Sequence, residues 1–157
     1  MARRPKVRPA ATRERRCAQA PRLPARAVLA ALALVAATFL AYRPAWHGGP
    51  VWDDDGHLTA RSIESLDGLA RVWLEPGAAQ QYYPLTHSLF WVGNRIWGHA
   101  PLGYHLLSIL LHALAALLFW RILAHLGVPA AFLAAAVFAL HPVHVESVAW
   151  LSELKNT

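Results

Sequence analysis

A single cysteine, Cys17, stands in the 157 residues, so the chain has no internal disulfide framework. Charge is scarce. Asp, Glu, Lys and Arg together make up 15% of the chain, against about 25% in an ordinary soluble domain. Acidic residues number only nine, and none falls in the apolar runs 27–42, 101–120 or 128–140. That disfavours an ion or solute transporter, which would want carboxylates at mid-span. No 34-residue self-similarity occurs, so no tetratricopeptide repeat lies within these residues. An EF-hand is excluded too. Counting back from Gly56 puts Val51 at position one and Ser62 at position twelve, where calcium chemistry needs carboxylates.

Apolar surface is plentiful. Hydrophobic residues make up 56% of the chain, and the mean hydropathy is +0.30. The formal charge is +6, but the basic residues form no folded patch of the kind that binds nucleic acid. Nine of the fifteen lie in the first 26 residues. This Pro-rich, aperiodic segment 1–26 reads as a disordered cytoplasmic tail, either a topology signal or an attachment to anionic lipid.

Three runs point to the membrane. Ala27–Tyr42 is uncharged over sixteen residues, and it reaches the roughly 20 residues of a span if Arg26 and Arg43 snorkel. A cleaved signal peptide is the rival reading, but Tyr42, Arg43 and Pro44 occupy the exit where small residues would be needed. Pro101–Trp120 is long enough to cross. His105, Ser108 and His112 share one of its faces, with Ala115 and Ala116 continuing the stripe. This predicts histidines that hydrogen-bond between helices rather than bind metal. The neighbouring runs offer mostly Ala, Leu and Val, so the stripe is expected to face helices beyond residue 157. Val128–Leu140 rises only about 20 Å, so it either takes in part of the HPVHVESVAW that follows or begins deep in the interface; within that block Pro142 suits a helix start, with His141 just before it. Gly127 and Pro129 predict a tight hairpin between the last two runs, with Gly at the helix end and Pro in the next first turn.

The expected architecture is an all-α membrane protein with spans at about 25–45, 101–122 and 128–148. The membrane domain covers 27–157, with an external loop over 46–100. An interfacial helix starts near Pro84 in that loop. The nine basic residues of the tail, against four in 43–100, put the N-terminus in the cytoplasm. The triple aspartate Asp53-Asp54-Asp55 and the His144/Glu146 segment then emerge on the same, external side. From composition alone the aspartates are either a solvated acidic turn or a site, since adjacent carboxylates repel unless something compensates. His144 and Glu146 do not share a helix face, so that segment alone makes a poor metal site.

Four blocks carry a resemblance: VWDDDGHLTA, QYYPLTHSLFWVGNRIWG, PLGYHLLSILLHALAALLFWRIL and FALHPVHVESVAWLSELKN. From about residue 28 onward the chain resembles bacterial multispanning membrane proteins with C-terminal tetratricopeptide repeats, related to the transmembrane-and-TPR O-mannosyltransferases. The resemblance implies the N-terminal part of a GT-C glycosyltransferase fold in a multi-pass inner-membrane (plasma membrane) protein. It implies a polyprenyl-phosphate-sugar donor and a protein or glycan acceptor, with transfer on the external face and no role for nucleic acid. It also implies that Asp53 and Asp54 are catalytic. Asp55, His57, His144, Glu146 and Lys155 would contact substrate, and Glu146 could hold a divalent metal. One departure is Leu154, where the family carries Arg. The further spans and repeats of the family are absent, so the chain reads as a fragment. The alternative is a non-catalytic membrane anchor or scaffold for a protein-binding repeat module.

Overall fold

The computed structural model describes residues 24–58, 64–78 and 81–157; the basic tail and Cys17 lie outside them, as does the side chain of Asp55. Every regular element among the described residues is helical. These are α1 (Ala25–Ala41), α2 (Asp54–Leu58), α3 (Leu66–Leu74), α4 (Pro84–Trp97), α5 (Pro101–His125), α6 (Ala131–Leu140) and α7 (Val145–Ala149). Short 3-10 turns cover Arg43–His47, Pro142–His144 and Leu151–Asn156.

Prolines and one glycine punctuate the chain. α1 ends at Ala41, because Arg43-Pro44 cannot continue it and becomes a 3-10 turn. Pro84 and Pro101 open α4 and α5 at positions whose N–H groups have no intrahelical partner. α5 closes on Gly127 at φ 72. Gly127 N–H donates to the Ala124 carbonyl (3.2 Å) and Val128 N–H to that of Leu123 (2.9 Å), the bond pair of a Schellman motif. The expected hairpin is therefore present. Pro129, however, precedes the left-handed N-cap Ala130 (φ 58) instead of sitting in the first turn of α6.

Of the three expected spans, α5 is long and apolar enough by itself to cross a membrane. The 128–148 segment is not one straight helix: α6 and the stretch Pro142–Ala149 form a pair bent by 47°. Pro142 causes the break, lacking the N–H that would continue α6. His141 Nδ1 instead accepts the Val143 N–H (3.2 Å) and caps the new turn. α1 is apolar but shorter, at 17 residues.

Three clusters succeed one another along α5. At the hairpin end Leu34 of α1 packs on Ala116, Ala135 and Ala139; the alanines let α5 and α6 approach closely. Next come Tyr42, Ile109 and Val148. At the other end Leu58, Phe90, Tyr104, Leu151 and Leu154 join α2, α4, α5 and the final turn. Gly93 makes room for this last cluster: a Cβ there would lie 2.5 Å from the Tyr104 ring.

The polar stripe of α5 is covered within the chain, contrary to the expectation that it faces helices beyond residue 157. His105, Ser108 and His112 are all buried. His105 Nε2 donates to the Gly48 carbonyl (3.3 Å) and His112 Nε2 to that of Ala139 (3.1 Å). Ala139 lies in the last turn of α6, where carbonyls lack intrahelical partners. His112 thus supplies a cap from a neighbouring helix. The turn at 43–48, with its small Gly48, covers His105, and the end of α6 covers His112.

Candidate functional site

Asp53 and Asp54 occupy very different surroundings. The turn before α2 closes through Asp54 N–H to the Val51 carbonyl (3.1 Å) and Val51 N–H to Asp54 Oδ2 (2.9 Å). Within it Trp52 adopts φ 55, a left-handed conformation that costs a non-glycine residue about 1–2 kcal/mol. Asp54 points inward and is 1% exposed. Its Oδ1 accepts the N–H of Ser152 at 2.8 Å, across 98 residues of sequence. Two backbone donors thus replace the water that a buried carboxylate loses. Asp53 points outward and is exposed.

The C-terminal turn completes the site. Trp150 meets Trp52 edge-on, with ring centroids 6.0 Å apart. Lys155 Nζ pairs with Glu153 (2.8 Å), donates to the Ser152 carbonyl (3.4 Å) and lies over the Tyr83 ring, 5.8 Å from its centroid. His57, on α2, stacks on Phe90 of α4 at 5.5 Å and stands 5.9 Å from the His87 ring. Burial pushes the His57 pKa below the ordinary histidine value, and His87 and Lys155 add to this; Asp53 and Asp54 pull the other way. His57 therefore stands between a cationic and an anionic side of one site.

Four of the residues expected from sequence, Asp53, Asp54, His57 and Lys155, come together here. His144 does not join them. Its ring packs on Phe138 (4.6 Å) and His112 (5.2 Å). Glu146 is exposed. No group of three His, Cys, Asp or Glu side chains suited to a metal occurs among the described residues. They form no set that would hold a divalent ion around Glu146. Tyr83, His87, Trp150 and Ser152 belong to the site and were not singled out as site residues from sequence. They lie 29–98 residues from Asp54, in segments whose own spacing gives no sign of it.

No protein-family model matches the chain, and no solved structure does. Curated proteins do. The chain is 30% identical over 133 residues to protein O-mannosyl-transferase F38B6.6 of Caenorhabditis elegans, covering 75% of this chain and 19% of that protein. It is 32% identical over 131 residues to protein O-mannosyl-transferase Tmtc1 of Drosophila melanogaster, covering 74% and 15%. Its relatives are protein O-mannosyl-transferases. Over 75 residues it is 41% identical to mouse protein O-mannosyl-transferase TMTC2, covering 46% of this chain and 9% of that protein. The chain thus spans under a fifth of the length of these relatives.

Proposed function

We propose that the chain is the N-terminal part of a GT-C membrane glycosyltransferase, which moves a sugar from a polyprenyl-phosphate donor to a hydroxyl acceptor on the external face. The observation that carries the reading is the convergence of the acidic turn, the QYYPLTH block and the C-terminal turn around Asp53, His57 and Lys155. An exposed carboxylate and a partly buried cation within one site suit a displacement at an anomeric carbon. Asp53 takes the proton of the acceptor hydroxyl. The hydroxyl oxygen bonds to the anomeric carbon from the face opposite the phosphate. The carbon–oxygen bond to phosphate breaks, and its electron pair leaves with the phosphate. Lys155 offsets the charge that develops there. His57 and Asp55 contribute substrate contacts.

An apolar groove of about 630 Å³ runs beside α6 from Pro129 to His141 and His144. We assign it to the isoprenoid chain of the donor, with the imidazoles at its polar end and Glu146 nearby in sequence. The protein sits in the inner membrane with its N-terminus cytoplasmic, and a protein or glycan supplies the hydroxyl. The test uses purified full-length protein and a polyprenyl-phosphate sugar. Sugar transfer should occur. Lys155→Met and His144→Ala should raise the donor KM, and Ala134→Trp should do so for long-chain donors only. A full-length protein that neither binds nor consumes the donor would leave the scaffold reading in its place.

A further inference from the structure

We infer that Asp54 is a positioning residue, a two-ended clamp that fixes the acidic turn on the C-terminal turn, and that Asp53 alone of the pair meets the reacting atoms. The inference rests on the glycosyltransferase reading for its chemistry, but its geometry stands apart from it. Both oxygens of Asp54 are engaged, Oδ2 by Val51 N–H and Oδ1 by Ser152 N–H. At 1% exposure the side chain has no open path to an acceptor hydroxyl, and a base must come within hydrogen-bond reach of the proton it removes.

The clamp explains three further observations. It closes the Val51–Asp54 turn from both sides, and so holds Trp52 in its left-handed conformation. Backbone strain of that kind persists only where the surroundings enforce it. It sets Trp52 against Trp150, two residues before Ser152. It also fixes Lys155 relative to Asp53. The Ser152 N–H is held by Asp54, while the Ser152 carbonyl accepts from Lys155 Nζ. One peptide segment therefore links the clamp to the cation, and Asp53, adjacent to Asp54, takes its distance from Lys155 through it.

Amide replacement separates a clamp from a base. Asn at position 54 keeps one acceptor oxygen and loses the charge; Ala loses both ends. In the full-length protein Asp54→Asn should lower kcat about 10-fold and Asp54→Ala about 100-fold, as one and then two charge-assisted bonds are lost. Donor KM should rise less than in Lys155→Met, because Lys155 keeps its pair with Glu153, whereas a general loss of folded structure would abolish donor binding. For Asp53 the two replacements should be equally damaging. Amide hydrogen exchange supplies a readout that needs no activity. At Val51 and Ser152 it should speed by about 10- to 100-fold in Asp54→Ala, and stay unchanged in Asp53→Ala. Unchanged exchange at Ser152 in Asp54→Ala overturns the clamp, and so does an Asp54→Asn protein as inactive as Asp54→Ala. If the wild-type protein transfers no sugar, the glycosyltransferase reading fails while the exchange result still decides the clamp.

Discussion

Gly93→Ala sets local helix propensity against packing beneath the site. Gly93 lies inside α4, where Ala would be the better helix former by about 1 kcal/mol. The Cβ would stand 2.5 Å from Tyr104 Cε1, 3.1 Å from Cζ and 3.2 Å from Cδ1. Tyr104 cannot step aside freely. Its ring stacks on Phe90 at 5.6 Å, meets Trp97 edge-on at 5.7 Å, and its hydroxyl donates to the Gly98 carbonyl at 2.8 Å. Overpacking costs about 1–3 kcal/mol, and loss of the Tyr104 bond adds about 1 kcal/mol. After the propensity gain, a net loss of about 1–3 kcal/mol is expected. Phe90 also carries the His57 ring, so the disturbance should reach the site and lower activity. Gly49→Ala is the control, since a Cβ there meets nothing within 4 Å. The assay is thermal or denaturant unfolding in detergent, with Gly93→Ala repeated on Tyr104→Leu to detect relief of the clash. A neutral or stabilising Gly93→Ala would mean that α4 and α5 do not pack as described.

His112→Leu should destabilise the protein by about 1–3 kcal/mol, because the Ala139 carbonyl loses its cap in a buried setting; an unchanged melting temperature would show that the cap contributes nothing. The pH dependence of stability follows from His57. Its folded pKa lies below the ordinary 6.5 of the unfolded chain, so between the two values the unfolded state binds more protons and stability rises with pH. The contribution is complete above pH 6.5 and is lost as pH falls from there through the lower folded pKa. His57→Gln should flatten the acid side of the melting-temperature profile, and an identical profile would contradict the burial argument. A cysteine introduced at exposed Glu75 should react with a membrane-impermeant thiol reagent in intact cells while Cys17 stays protected. Labelling of Cys17 alone would reverse the orientation.

Local features of the fold were legible because local chemistry sets them. Pro84 and Pro101 announce helix starts, Gly127 announces the end of α5, and the 13-residue third run is too short to cross unaided. Pro142 reads as a helix start with His141 just before it, and the structure puts both in those places; only the span bounds 128–148 run across the break, since the need for length argued for counting both pieces as one. The stripe on α5 was legible as a buried face. Its partner was not, because the turn at 43–48 that covers His105 lies 57 residues away. The same limit applies to the site. Three adjacent aspartates look equivalent in sequence. Only the 98-residue contact with Ser152 separates buried Asp54 from exposed Asp53. The family resemblance named Asp53, Asp54, His57 and Lys155, which the fold brings together, but not Tyr83, His87 or Ser152, whose positions depend on long-range packing.

Sugar transfer by the full-length Asp53→Asn protein tests the account most directly. The replacement keeps side-chain size and removes the base from an exposed position, so folding should be unaffected and donor KM close to wild type. With a polyprenyl-phosphate sugar and a hydroxyl acceptor, the account predicts a kcat lower by about 10²-fold or more, the scale of a general-base contribution. Transfer at the wild-type rate would contradict it.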